Sequence, residues 1–500
     1  MSEPASPAPV TPPASRSIWR NWLSLAGAII GGGSLFAFIL LLVIDQFGPG
    51  KHNPYVGILS YLVAPGFMAL GLLLVFGGAW MQRRSFTHTK DASPPRFSID
   101  LSRPRDRRVL ILFGLGTIAF TLLTAVGSYQ TYHYTESVQF CGETCHTVMK
   151  PEFTTYQLGN HARVACVECH IGSGATFYVK SKISGAYQVY SVLFGKYSRP
   201  IPTPVANLRP AQETCEKCHW PEKFVGSLDR TYTHFLSDDA NTPFTVRLLL
   251  HVGGGTSAHG PVGGIHWHMN VANKVEYYAT DPQRQVIPWV RITPKDGVAT
   301  VYRTPDFKGD PDPAKIRRMD CLDCHNRPAH NYRTPNDSVD EALYLGRIDK
   351  NLPGVKRVAV DLLTKDYASD KEAAAALAAG LRKQYAGQPG LDPAIAEVVS
   401  IYQHNFFPDM KADWSKYPDN IGHKNSNGCF RCHDGKHQAD GSTRQITATD
   451  CNTCHTLISQ GKDESLATFS GKGLKFDHPG GDPPDGLLCS DCHNGKNQSP

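Results

Sequence analysis

Neither a histidine nor a charged side chain falls in the three longest apolar runs of this 500-residue chain, Trp22–Ile44, Tyr55–Trp80 and Val109–Tyr129. Each run has the length that a helix needs to cross about 30 Å of hydrocarbon. The missing charges exclude a proton or ion path through the runs. The missing histidines exclude axial ligands for a haem held inside the bilayer. A secretory leader is the alternative for the first run, but that run is long, lacks an obvious cleavage site and is followed by two more spans. The runs therefore read as anchors, with residues 18–81 forming a transmembrane hairpin and residues 109–130 a third transmembrane helix.

Strong charge is missing from everything after them. Residues 82–108 hold eight basic residues against three acidic ones, and with residues 1–81 they account for the whole net charge of +6. The remainder is about neutral, which excludes a nucleic-acid binder. The basic loop 82–108 also sets orientation, because basic loops stay in the cytoplasm. The N-terminus, with its Pro/Ala/Ser-rich disordered tail 1–17, is then cytoplasmic, and residues from 131 onward lie outside the bacterial inner membrane, in the periplasm.

Unpaired cysteine is absent as well. The 14 cysteines form seven pairs, and each pair is followed directly by a histidine. Six read C-x-x-C-H: Cys166/Cys169/His170, Cys215/Cys218/His219, Cys321/Cys324/His325, Cys429/Cys432/His433, Cys451/Cys454/His455 and Cys489/Cys492/His493. The seventh, Cys141/Cys145/His146, has three residues between its cysteines. Two thiols at this spacing form thioethers with the vinyl groups of one haem, and the adjacent histidine reaches the iron. Neither zinc knuckles nor disulfides require a histidine after every pair. The chain is expected to carry seven covalently attached c-type haems. Its fold class is a membrane-anchored multihaem cytochrome c with three N-terminal transmembrane helices and a mainly α/irregular, haem-packed periplasmic region.

Regular apolar periodicity is scarce in that region, so the haems should supply much of the buried apolar surface. Residues 131–338 form a four-haem domain and 406–500 a three-haem C-terminal domain. Two stretches lack attachment motifs. Residues 240–305 are β-branched and aromatic between turn residues, and predict a β-rich insertion. Residues 339–405 predict a helical segment, with capping boxes at Ser338–Glu341 and Ser369–Glu372 and a helix start at Asp392-Pro393.

Low-spin haem needs a second axial ligand, usually His or Met. Outside the motifs the outer region holds His133, His161, His234, His251, His259, His266, His268, His330, His404, His423, His437 and His478. Closeness to a motif favours His161, His330, His423, His437 and His478, with His268 and His234 behind them.

The stretch "FCGETCHTVMKPEFTTYQLGNHARVACVECHIG" resembles the NapC/NirT family of membrane-anchored, quinol-oxidising cytochromes, and the resemblance continues through "RPAQETCEKCHWPEKF" and "MDCLDCHNRPAH". It implies that Met149, which follows the first motif, ligates the first haem and raises its potential. It also implies that a lysine in Ala175–Pro200, Lys180 or Lys182, lines a quinol pocket at the membrane interface. The family's acidic residue after that lysine is missing here. No Asp or Glu lies between Ala175 and Pro200, and Gln188 stands about there, so Glu152 and Glu143 are considered for the quinol protons by position. The implied function is oxidation of quinol at the membrane and delivery of electrons to a periplasmic cytochrome or reductase, with homo- or hetero-oligomers left open. The alternatives are a terminal reductase of nitrite or hydroxylamine type, with an open position on one iron, and a scaffold subunit.

Overall fold

Glycine decides how the first two helices meet. In the computed structural model, α1 (Trp22–Phe47) and α2 (Ala64–Thr87) pack along Gly27, Gly31 and Gly71. A Cβ on Gly71 would stand 2.5 Å from the Gly31 nitrogen, and one on Gly27 would stand 2.6 Å from the Gly71 carbonyl oxygen. Small residues let apolar helices approach without a hydrophobic driving force between them. Ser24 adds an interhelical hydrogen bond, its Oγ donating to the Val75 carbonyl at 3.0 Å. Both helices are long and apolar enough to cross a membrane. The third apolar run lies in α3 (Pro104–Thr135), 32 residues that begin with proline in the first turn, where no amide donor is needed.

The structure describes residues 21–47, 60, 63–87, 101–144, 146–172, 175–205, 208–254, 263–270, 273–295, 297–447, 451–462, 466, 469–482, 484 and 486–496. The tail 1–17, most of the basic loop, Cys145 and His259 lie outside the described residues, as do the side chains of His146 and Cys451. Two compact units result, Met1–Thr144 and Cys145–Pro500.

In the second unit, α4 (His146–Leu158) follows the first motif and α5 (Ala175–Leu193) lies between the second and third. Nine strands form two sheets among the described residues. Strands β1 (Ser227–Phe235), β2 (Pro243–His251) and β9 (His455–Gly461) make an antiparallel sheet in the order β1-β2-β9. Strands β3 (Lys274–Tyr278), β4 (Trp289–Thr293), β5 (Thr300–Arg303), β6 (Arg317–Arg318), β7 (His437–Ala439) and β8 (Gln445–Ile446) make the other, in the order β6-β3-β4-β5-β7-β8. Strands β7 and β9 leave the fifth and sixth motifs and complete sheets begun much earlier in the chain, so the later motifs fold onto its middle.

Helices α6 (Pro335–Tyr344), α7 (Val355–Leu363), α8 (Asp370–Tyr385) and α9 (Leu391–Asn405) close around Val339, Val360, Leu363, Leu377, Leu381 and Val398, all but completely buried. Ser369 caps α8, accepting from the Glu372 amide at 3.2 Å, and the Glu372 carboxylate accepts from Ala368. The first helix of the bundle starts a turn before Ser338, because Thr334 caps it and Pro335 supplies the pre-set φ of its first residue. One ion pair fastens this bundle to the edge of β1. Asp340 accepts from the Phe235 amide at 3.0 Å, while Lys356, 2.7 Å from Asp340, donates to the Phe235 carbonyl.

Candidate functional site

Two cysteines three apart and the following histidine must present thiols and ring to one side of a short turn. The motif segments do this as single helical turns: α-helical at Cys166–His170, Cys321–Cys324 and Cys489–Cys492, and 3-10 at Cys215–Lys217, Gly428–Arg431 and Cys451–Thr453. The first motif is different. Phe140–Thr144, which contains Cys141, is a π-turn. A π-turn takes about 4.4 residues to close where an α-turn takes 3.6, so it absorbs one extra residue per turn. The odd spacing thus has a local structural counterpart.

The tighter 3-10 turns end one residue sooner, so the second cysteine of those motifs falls just past them. Cys218 follows Cys215–Lys217, its amide donating to the Cys215 carbonyl at 3.2 Å, and Cys432 stands likewise after Gly428–Arg431. Cys454 lies between Cys451–Thr453 and β9, its carbonyl accepting from the His251 amide at 2.9 Å. Among the described cysteines Cys218, Cys429, Cys489 and Cys492 are exposed, and the others, Cys454 among them, are half-buried.

None of the twelve described cysteines is in a disulfide. Burial pushes the thiols of Cys324 and Cys432 up to about 12, the opposite of the depressed pKa of a thiol-exchange nucleophile. The Cys215 and Cys321 thiols are hydrogen-bonded, which raises the first and lowers the second, so the third and fourth attachment sites adjoin.

Each of six motif histidines faces a second histidine at nearly one distance. The ring centres are 6.3 Å apart for His170 and His330, 6.1 Å for His219 and His161, and 6.2 Å for His325 and His266. They are 5.9 Å apart for His433 and His268, 6.2 Å for His455 and His423, and 5.9 Å for His493 and His478. A metal bonded to one nitrogen of each ring at about 2 Å holds the two ring centres about 6 Å apart. The spacing fits an iron between each pair.

Four of the outer nitrogens agree with that fit. Nδ1 of His161 donates to the Pro328 carbonyl at 2.9 Å, that of His330 to the Glu152 carbonyl at 2.9 Å, that of His266 to Val252 at 2.8 Å and that of His268 to Ile265 at 3.0 Å. A carbonyl can only accept, so Nδ1 carries the proton and Nε2 is left as the ligand atom. Burial lowers the pKa of His170, His268, His325, His423, His433 and His455, and takes His493 to about 4, which keeps these rings in the neutral form that binds metal.

Two histidines singled out from the sequence stand elsewhere. His437 is fully buried with both nitrogens engaged, Nδ1 by Asp434 at 2.8 Å and Nε2 by the Ile287 carbonyl at 2.7 Å. His234 shares its Nδ1 between Asp340 at 3.0 Å and Lys424 at 3.2 Å. His266, which closeness to a motif does not favour, occupies a facing position instead, and its only sequence signal is the pair of histidines in "GGIHWHM".

Met149 lies on α4, half-buried beside buried Val148. Glu152 follows a turn later, its buried Oε2 3.4 Å from Nδ1 of His330. Glu143 is exposed. On α5, Lys180 and Gln188 are exposed, Lys182 is half-buried, and Gln188 donates to Ser184 Oγ at 3.4 Å. Ile183, Tyr187 and Tyr190 share one helical face that continues into Phe194, and they are 67, 66, 41 and 65 % exposed. By helical angle Lys180 borders this apolar face, while Lys182 lies away from it.

The family model described as "NapC/NirT cytochrome c family, N-terminal region" matches residues 103–201. The chain is 44% identical over 497 residues to the cytochrome c-type protein ImcH of Geobacter sulfurreducens, covering 95% of each chain. It is 29% identical over 113 residues to the cytochrome c-type protein NrfH of Wolinella succinogenes, covering 22% of this chain and 62% of that protein. No solved structure matches.

Proposed function

Because the chain belongs to the NapC/NirT family of membrane-anchored c-type cytochromes, we propose that it oxidises quinol at the outer face of the inner membrane and hands the electrons to a periplasmic acceptor. Each quinol releases two electrons and two protons and becomes quinone. Haem c, covalently bound, supplies the one-electron chemistry that carries these electrons. The chain's own residues attach, ligate and space that cofactor.

Seven haems are assigned, one to each cysteine pair. Cys169, Cys218 and Cys454 supply the second thioether of the second, third and sixth pairs, and a haem laid over the open Cys218 and half-open Cys454 would itself cover them. His146, His170, His219, His325, His433, His455 and His493 are the ligands from the motifs. Met149 is assigned opposite His146, and His330, His161, His266, His268, His423 and His478 opposite the others in that order. The single observation that carries the reading is the set of six ring pairs at 5.9–6.3 Å. Six such pairs would supply two ligands to each of six irons and leave none of those open to a substrate, which disfavours the terminal-reductase reading.

The exposed apolar face of α5 supports an interfacial helix, with its aromatic side chains in the lipid and Lys180 at the headgroup level. Three spans, α1 to α3, hold the protein with its N-terminus in the cytoplasm and its haem region in the periplasm. Lys180 orients the quinol oxygen, with Lys182, on the other side of the helix, as the alternative, and Gln188 stands in the place of the family's acidic residue. The test is the double variant Lys180→Ala/Lys182→Ala in membranes. Quinol-dependent haem reduction should fall at least tenfold while dithionite still reduces every haem. An unchanged quinol rate would remove these lysines from the site.

A further inference from the structure

The attachment motifs form a group of four that ends at His325 and a group of three that begins at Cys429, with the α6–α9 bundle between them in sequence. One short 3-10 turn, Ile265–Met269, reaches both groups. The ring of His266 faces His325, and the ring of His268 faces His433. We propose that this turn ligates one iron of each group and so fixes the junction at which electrons pass from the first group to the second. The inference rests on the haem ligation proposed above.

Turn geometry explains how one segment serves two sites. A 3-10 turn has three residues per turn, so side chains two apart point about 120° from one another and cannot share a partner. Trp267, between the two histidines, packs against the core of the six-stranded sheet with Tyr277 and Val290 and anchors the turn. The two motifs are also joined directly. Arg431, inside the fifth motif, donates to the carbonyl of Asp323, inside the fourth, at 2.6 Å.

Backbone contact at glycine sets the position of the turn. Gly254 has φ +97°, and a Cβ there would stand 2.2 Å from the His266 carbonyl carbon and 2.6 Å from the Trp267 nitrogen. Gly264 has φ +91°, and its Cβ would stand 2.3 Å from the His251 carbonyl oxygen. Only glycine tolerates both the conformation and the approach. Gly254 is therefore a positioning residue for two ligands that it does not itself provide. Gly263 is the control, because a Cβ there meets nothing within 4 Å.

The experiment is electron paramagnetic resonance of the purified, haem-loaded full chain, with haem counted by pyridine haemochrome. The His266 and His325 ring planes are 7° apart, and those of His268 and His433 are 85° apart. Near-parallel ligands give a rhombic low-spin signal and near-perpendicular ligands a strongly anisotropic one, so the two sites are spectroscopically separable. His266→Ala should convert one haem to high spin at the expense of the rhombic signal. His268→Ala should do so at the expense of the anisotropic signal, and His268→Met should restore low spin at a raised potential. Gly254→Ala should diminish both signals, while Gly263→Ala leaves the spectrum unchanged. Unaltered low-spin content in both alanine variants, loss of the same signal in both, or identical spectra for Gly254→Ala and Gly263→Ala would overturn the proposal. No quinol enters these measurements, so a protein that quinol fails to reduce would defeat the functional reading and leave this one standing.

Discussion

The buried guanidinium of Arg431 donates at 2.6 Å to the main-chain carbonyl of Asp323, and so clamps one cysteine pair's turn to another's. The same side chain donates to the carbonyls of Gly428 and Arg284, both at 2.8 Å. Asp323 is held in turn, its carboxylate accepting from Tyr277 at 2.6 Å, Arg284 at 3.0 Å and Arg317 at 3.1 Å. Arg431→Leu removes the donor and leaves three carbonyls facing an apolar side chain, at a cost of about 3 kcal/mol. Denaturant unfolding of the haem-loaded protein checks this. A change below about 0.5 kcal/mol would mean that the clamp is not a structural one.

A second buried charge carries a comparable prediction. Lys356 and Asp340, both almost fully buried, together satisfy the amide and the carbonyl of Phe235 at the edge of β1. Burial lowers the Lys356 pKa, and Asp340 opposes that shift. Lys356→Met leaves the buried Asp340 carboxylate without its lysine, held by the Phe235 amide and His234, and should cost about 3 kcal/mol. Adding Asp340→Leu should recover part of that loss, because the buried charge that lost its lysine is then gone. The measurement is the denaturation midpoint of both variants, and a double variant less stable than the single one would contradict this account of the pair.

The histidines separate by substitution. His423→Ala or His478→Ala should each turn one haem high-spin. His437→Ala should alter no spin state, because that ring is already engaged by Asp434 and Ile287. Its effect should appear as lost stability of about 1–3 kcal/mol. Magnetic circular dichroism of the three variants distinguishes these outcomes.

What could be read from the chain alone follows the chemistry. Thioether attachment fixes the spacing of two cysteines and a histidine, so the attachment sites are visible without a fold. Their surroundings are not. Second ligands obey no spacing rule. His330, close in sequence to the fourth motif, faces His170 of the second, and His161, just before the second motif, faces His219 of the third. His423 precedes the fifth motif and faces His455 of the sixth. Nearness along the chain therefore picks out several histidines that face a motif histidine, but not which motif each one faces. It also favours His437, which structure diverts to a hydrogen-bonded core position, and passes over His266. Strands β2 to β5 lie within the β-branched stretch, but alternation does not name partners, and nothing in it reveals that β7 and β9, from the later motifs, join the two sheets.

The methionine beside the first motif gives a prediction about potential. Met149→His should leave that haem low-spin and lower its midpoint potential, whereas Met149→Ala should open the position to added ligands. Optical redox titration of both variants checks it. An unchanged titration in both would make Met149 a packing residue beside Val148.

The central claim concerns where the electrons come from, and it is tested most directly by mixing the purified, fully haem-loaded protein in detergent or nanodiscs with a reduced quinol analogue. Haem absorbance is followed in a stopped-flow instrument. The account predicts rapid appearance of the reduced α-band across haems of both groups, with two electrons taken up per quinol consumed. A protein whose haems dithionite reduces in full, but which no quinol reduces at all, would contradict it.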